Sequence, residues 1–251
     1  MKILNNIEAI DLALYFDSTL IISDVHIGYE EALNKQGVLV PRLQFGEMVK
    51  KIEKILNELK NKHLKRIIVN GDLKHEFGTI SEQEWRNVLK FLDLLARHCK
   101  EIILIKGNHD MIIGPIARKR NVKVVDYYFI DSKFAKNNKP NRVLVTHGDK
   151  IPDKDVLKQA STIIIGHEHP AVSLKDGARV ETFKCFLKGK YKGRNLIVLP
   201  SFNEIVQGTN IMRDRTLSPF LKQDLDNFEV FAVEDKVYDF GKLIKLKRKM
   251  I

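Results

Sequence analysis

Five short apolar runs in this chain each stop at a glycine-flanked polar cluster, and that recurrence limits the fold more than any other feature. Leu20 to Ser23 runs into Asp24-Val25-His26, Arg66 to Asn70 into Gly71-Asp72, and Glu101 to Lys106 into Gly107-Asn108-His109-Asp110. Arg142 to Thr146 runs into His147-Gly148, and Thr162 to Ile165 into Gly166-His167-Glu168-His169. Each run has the length and composition of a strand. In an open α/β sheet ligands bind beyond the carboxyl ends of the strands, so the five exits are expected to converge on one site. The glycines at 28, 71, 107, 148 and 166 allow sharp turns or close approach to a ligand beside those groups. Asp24 and His26, like His167 and His169, are two apart. On an extended chain that spacing aims both side chains to one side, so each pair is expected to clasp one ion.

Between the runs the periodicity becomes helical. From Glu47 to Lys60, Met48, Val49, Ile52, Ile55, Leu56 and Leu59 recur at three- and four-residue spacing. A second helix opens at Ser81, with Glu84 three residues on as in a capping box, and carries Trp85, Val88, Leu89, Leu92 and Leu95 on one stripe. Strands at Arg66 to Val69 and Glu101 to Ile105 alternate with these helices as parallel βαβ units require. Leu12 to Phe16 and Thr19 to Ser23, joined by Asp17-Ser18, predict a hairpin. Beyond Pro170 the chain reads as strands at Arg179 to Leu187, Leu196 to Leu199, Glu229 to Val233 and Lys236 to Phe240. An α/β fold follows, and 251 residues with 44% apolar content suit one domain spanning residues 1 to 251. No apolar run approaches the roughly 18 residues of a membrane span. Glu8 and Asp11 fall where a signal peptide would be apolar, so a cytoplasmic chain with no membrane partner is expected. Cys99 and Cys185 fit no metal or redox spacing and read as buried thiols. No phosphate-cradling loop ending in Gly-Lys-Ser/Thr occurs, which argues against ATP hydrolysis by this chain alone.

The candidate ligands at the exits are Asp24, His26, Asp72, Asn108, His147, His167 and His169, with no cysteine among them. Such hard and borderline donors suit Mn, Fe, Zn or Co. Seven ligands exceed the needs of one ion. Two ions about 4 Å apart and sharing a carboxylate would use them all, an arrangement that serves in-line displacement at phosphorus. Asp72, alone at its exit, is the candidate bridge. A single histidine at a strand end is more often structural, but five of the chain's eight (His26, His109, His147, His167 and His169) stand at such exits, which coincidence explains poorly. His63 and His98 lack that context and are assigned to structure.

In order, Asp-x-His-x-Gly at 24 to 28, Gly-Asp at 71 to 72, Gly-Asn-His-Asp at 107 to 110, His-Gly at 147 to 148 and Gly-His-x-His at 166 to 169 resemble the calcineurin-like metallophosphoesterases. The resemblance implies two packed mixed β-sheets flanked by helices, with a dinuclear site at the strand ends. It puts Asp24, His26 and His169 on one ion, Asn108, His147 and His167 on the other, and Asp72 between them. It also implies that His109 stabilises the transition state or protonates the leaving oxygen, with Asp110 orienting it. Gly71-Asp72-Leu73-Lys74-His75 departs from the Gly-Asp-x-Val-Asp-Arg-Gly of protein serine/threonine phosphatases. Ser23 to Glu30, His75 and Gly166 to Pro170 are similar to SbcD-related archaeal phosphoesterases, relatives of double-strand-break-repair nucleases. There His75 matches a histidine near the scissile phosphate; the competing reading is a hydrogen-bonding support for the ligands. Those nucleases carry a separate capping domain and an ATPase-binding tail, neither of which is expected here.

Lys and Arg number 43 against 32 Asp and Glu, a formal net charge of +11. That surplus favours a polyanionic partner such as nucleic acid, although a Lys- and Glu-rich heat-adapted surface would also be highly charged. Lys184, Lys188, Lys190, Lys192 and Arg194, with Tyr191 for stacking, could contact DNA, as could Lys242, Lys245, Lys247, Arg248 and Lys249; solvated surface is the favoured reading of both groups. Residues 202 to 225 lack an apolar period and read as a functional loop. The combined expectation is a dinuclear-metal phosphodiesterase, with Mn the first choice of ion, that cleaves DNA in repair, beside a repair helicase, ligase or ATPase as partner. One alternative is a small-nucleotide phosphodiesterase or phosphatase. The other is an accessory repair subunit without catalysis, against which the full ligand set argues.

Overall fold

In the computed structural model, which describes residues 1–41, 43–78, 80–132, 141–177 and 179–249, the apolar runs build two mixed sheets. The first holds its strands in chain order: β1 (Lys2–Leu4), β2 (Ile7–Ile10), β3 (Ala13–Phe16), β4 (Thr19–Ser23), β5 (Arg66–Asn70), β6 (Glu101–Ile105) and β7 (Lys123–Val125). Pairing is antiparallel up to β4 and parallel from β4 to β7. Asp17 and Ser18, at φ 45° and 59°, make the tight turn of the predicted hairpin, where left-handed residues match the twist of the strands. Helices α1 (Tyr29–Lys35), α2 (Gln44–Glu58), α3 (Glu82–Ala96) and α4 (Gly114–Lys119) fill the crossovers. Of the stripes predicted for α2 and α3, Met48, Ile52, Ile55, Leu56, Val88, Leu92 and Leu95 are in the core, Val49, Trp85 and Leu89 are half-buried, and Phe91, outside the predicted stripe, is buried as well.

The second sheet contains β8 (Tyr127–Ser132), β9 (Asn141–Thr146), β10 (Thr162–Ile165), β11 (Pro170–Asp176), β12 (Arg179–Tyr191), β13 (Arg194–Val198), β14 (Thr209–Asn210), β15 (Glu229–Val233) and β16 (Val237–Lys242). Its order is β14-β11-β12-β13-β10-β9-β8, with β15 on β12 and β16 on β15. Helices α5 (Lys154–Lys158) and α6 (Leu243–Lys249) accompany it. Alternate residues divide between two cores, as the period of two requires. Val143, Val145, Ile164, Phe186 and Ile197 join the core shared with the first sheet, whereas Leu144, Ile163, Ile165, Leu187 and Val198 pack with Phe220, Leu243 and Leu246. Strands buried on both faces read as unbroken apolar runs, which explains the sequence pattern. Among the described residues no helix is long and apolar enough to cross a membrane. Cys185 is buried and its thiol pKa is raised by that burial.

The basic run from 184 to 194 is not surface throughout, which corrects both the favoured solvated reading and the DNA-contact alternative at Lys184 and Tyr191. Lys184 turns inward, its Nζ donating to the carbonyls of Ser201 (2.9 Å) and Asn203. Lys188 pairs with Glu229 at 2.7 Å, Lys190 donates to Asn195 at 2.7 Å, and Arg194 donates to the Leu157 carbonyl at 2.7 Å. Tyr191 is buried against Phe220, ring centroids 4.8 Å apart, and offers no face for stacking. The cause is the second sheet itself, because β12 is a central strand whose side chains are spent on pairing and core. At the C-terminus α6 buries Leu243 and Leu246, while Lys247 pairs with Asp226 at 2.7 Å.

Burial pushes the Lys184 ammonium down to about 7 from its ordinary value of 10.5. Below pH 7 the folded chain holds a charge in an unfavourable place. As pH rises toward 10.5 that cost disappears, while the unfolded chain keeps the proton. The wild-type chain should therefore gain stability over Lys184→Met with rising pH, by at most about 1.4 kcal/mol per pH unit, read from urea unfolding at a series of pH values. A difference independent of pH would place the amine in water.

Candidate metal centre

The ends of β4, β5 and β6 from one sheet and of β9 and β10 from the other open onto one crevice, as the sequence predicts. The backbone reason differs from the predicted one. Asp24, His26, Asp72, His167 and His169 lie past the strand ends with φ of 54°, 47°, 46°, 65° and 49°. These are left-handed conformations, uncommon for residues with a side chain though best tolerated by Asn, Asp and His. Asp24 and His26 therefore converge through consecutive turns and not through strand alternation. His167 and His169, expected to share an ion, instead fall into different groups.

The ligand atoms of Asp24, His26 and His169 lie within 4.8 Å of one another, and so do those of Asp72, His147 and His167. His169 Nε2 stands 3.1 Å from Asp24 Oδ1 and 3.4 Å from His26 Nε2. Asp72 Oδ2 lies between the groups, 3.8 Å from His26 Nε2 and 3.4 Å from His147 Nε2, and Asn108 Oδ1 is 3.1 Å from His147 Nε2. Asn108 thus joins the second group. Glycine is required at two of these contacts: a Cβ on Gly107 would collide with Asp72 Oδ1, and one on Gly71 with the His147 ring.

The donor set fits divalent cations. Asp24 Oδ1 is buried and has no hydrogen-bond donor, an expensive condition for an anionic oxygen. Two imidazole nitrogens facing each other at 3.4 Å share a single proton at best, whereas a cation satisfies both. Burial alone would raise the Asp24 pKa, yet the charges of His169, His147 and His26 hold it below the usual carboxylate range. For His147 the balance is opposite: burial disfavours its charge, but Asp72 and Asp24 outweigh that and raise it to about 10. Burial and the neighbouring His169 push His26 down to about 3, the neutral form that ligates metal.

His109 sits beside these groups. Its backbone N–H donates to Asp72 Oδ1 at 2.9 Å, its Nε2 is 3.9 Å from Asp72 Oδ2, and its Nδ1 meets the carbonyl of His75. Asp110 does not orient the His109 ring. Its buried carboxylate accepts the backbone N–H groups of Gly107 (3.1 Å), Leu73 (3.1 Å) and Lys74 (3.4 Å), and so fastens the loop after β6 to the loop after β5. Burial, then the charge of Asp72, lift its pKa to about 7. The ring of His75 lies 5.3 Å from that of His109 and its Nδ1 is 3.4 Å from His26 Nδ1. Burial and the charge of His109 lower its pKa to about 4.

Residues 18–222 match the family model of the calcineurin-like phosphoesterases. The chain is a calcineurin-like phosphoesterase. As such it is a metal-dependent phosphoester hydrolase. Among solved structures, the nuclease MPE of Pseudomonas putida shares the fold at 20% identity, over 92% of each chain, with a TM-score of 0.59. Yfce, a phosphoesterase from E. coli, is 14% identical over 90% of this chain and 97% of its own, with a TM-score of 0.42. Comparison with curated proteins finds no match.

In this phosphoesterase several supporting side chains escape sequence reasoning. Glu84 was expected to complete a capping box; Ser81 Oγ does accept the Glu84 N–H at 3.1 Å, but the buried Glu84 carboxylate accepts from His75 N (2.8 Å) and Glu76 N (3.1 Å) instead. Glu168, between the two histidines, accepts from Leu217 N (2.9 Å) and Ser218 N (2.8 Å), which ties the segment 202–225 to the site. Ser201 Oγ donates to the Asp24 carbonyl at 2.8 Å, and Gln44 and Asn203 both donate to the His26 carbonyl at 3.3 Å. Only Glu168 carried a positional signal. These bonds hold the left-handed residues where unaided backbone preference would not.

Gly208, at φ +89°, touches the same support: a Cβ there would collide with the His169 carbonyl, which accepts the Thr209 N–H at 2.9 Å. Gly208→Ala should displace His169 and weaken metal binding about 10- to 100-fold, as loss of a ligand's outer support does. Calorimetric titration of metal measures it; unchanged affinity would make the segment irrelevant to the site.

Proposed function

We propose that this phosphoesterase is a two-metal phosphodiesterase acting on DNA, with manganese as its working ion. The observation that carries the reading is the pair of ligand groups meeting at Asp72. Asp24, His26 and His169 would hold one ion, Asn108, His147 and His167 the other, with Asp72 between them. Two such ions neutralise phosphoryl oxygens and acidify water near neutral pH. The chain's own acid is His109. Its Nδ1 faces the His75 carbonyl, which orients the ring and leaves Nε2 on the side of the site, where it would give a proton to the leaving oxygen.

DNA as substrate is supported by the net charge of +11 and by the motifs similar to repair nucleases. The same motifs support a repair role next to a helicase, ligase or ATPase; the length of 251 residues supports a single domain spanning residues 1 to 251, and Glu8 and Asp11 near the N-terminus support a cytoplasmic place. Dispersal of the basic side chains of β12 favours the second reading, a small-nucleotide phosphodiesterase or phosphatase. The test is Mn-dependent hydrolysis of single-stranded and duplex DNA beside a chromogenic diester and monoester, with Asp72→Asn as the contamination control. DNA cleavage absent from the variant supports the nuclease; hydrolysis of small esters with intact DNA supports the second reading.

A further inference from the structure

We infer that Phe77 seats an unpaired nucleobase beside the scissile phosphate, which makes single-stranded nucleic acid the favoured substrate class. The inference rests on the phosphodiesterase reading above. His75, His109 and Phe77 form a column of rings: His75 and His109 stack at 28° with centroids 5.3 Å apart, and Phe77 lies on His109 at 34° and 3.6 Å. The column ends in the open, because Phe77 is 59% exposed. Its loop is nonetheless anchored, since Glu84 accepts the N–H groups of His75 and Glu76 just before it. An exposed phenylalanine held at a fixed angle on the residue proposed to protonate the leaving oxygen offers a flat apolar face one ring away from the chemistry.

The chemistry of the occupant follows from three requirements. It must carry a phosphodiester into the crevice, present a flat π-surface within one residue of it, and suit a chain of net charge +11. A nucleotide within a strand meets all three, and every base has a π-face, so stacking here is tolerant of sequence. In a duplex both faces of a base are covered by its neighbours, so it reaches Phe77 only after unstacking.

The test compares a single-stranded oligodeoxynucleotide with a strand of equal length built from abasic tetrahydrofuran residues, using the Mn-loaded protein. Wild type should show a KM about tenfold lower for the base-bearing strand, within the roughly 5- to 150-fold that loss of one stacked base covers. Phe77→Ala should cleave the two strands with the same KM, and Phe77→Trp should restore the difference. A 2-aminopurine base in the strand should be quenched on binding to wild type and not to Phe77→Ala. If both strands are cleaved and the KM ratio is the same in wild type and Phe77→Ala, the base seat is wrong while the phosphodiesterase reading stands. If wild type hydrolyses a monoester and cleaves neither strand, both fall together.

Discussion

Asp72→Asn is expected to lose both ions and hydrolysis together, with metal affinity falling by more than the roughly 100-fold that outer supports command. The carboxylate does two jobs with two oxygens. Oδ1 accepts the His109 N–H at 2.9 Å, while Oδ2 faces His147 and His26 at 3.4 and 3.8 Å. Asparagine has one carbonyl oxygen and one NH2 group. Whichever way the amide turns, its donor meets either a backbone N–H or the histidine nitrogens, and the negative charge that balances two cations is gone. Elemental analysis of the purified variant together with diester turnover measures the effect. A variant with two ions and wild-type turnover would move the bridge to another group.

His109→Ala should keep its ions and lose turnover by about 10²- to 10⁴-fold, the usual share of a positioned acid. His109 stands outside the two groups that meet at Asp72, although it forms a third cluster with His26 and His75 that could hold an ion, so an ion content below the wild-type value would make it a ligand. The loss should depend on the leaving group. An alkoxide leaving from DNA needs a proton, whereas p-nitrophenolate does not, so the DNA defect should exceed the p-nitrophenyl defect by tenfold or more. Equal defects on both substrates would make His109 a charge stabiliser and remove its role as proton donor.

The positions of the candidate ligands were legible in sequence because each stands at the end of an apolar run, and strand ends in a mixed sheet share an edge of the fold. The stripes of α2 and α3 were legible because amphipathic period survives tertiary packing. The local geometry was not. The extended-chain argument for Asp24 and His26 reached a sound grouping by an unsound route, since a left-handed backbone leaves no mark in residue identity beyond a weak preference for Asp, Asn and His. Asp110 and Glu84 misled for a related reason: their carboxylates accept backbone N–H groups of other loops, Leu73 and Lys74 for Asp110 and His75 and Glu76 for Glu84, which no local motif encodes. Lys184 and Tyr191 looked like surface because charge and aromaticity say nothing about which strand becomes central. β1, β2 and α1 are too short to generate a period.

The left-handed turns at Asp24, His26, Asp72, His167 and His169 bear on how such a protein can diverge. At each of the five, catalysis and backbone sterics ask for nearly the same side chains. A descendant that abandoned hydrolysis would be freed from the first demand and not from the second, because Ser201, Asn203, Gln44 and Glu168 would still hold those loops in place. Drift there would be channelled toward Asn, Asp, His and Gly, with β-branched residues shut out by the backbone. The outline of the cradle would thus persist in lineages long after the chemistry had gone, so its presence in a distant relative testifies to ancestry before it testifies to activity.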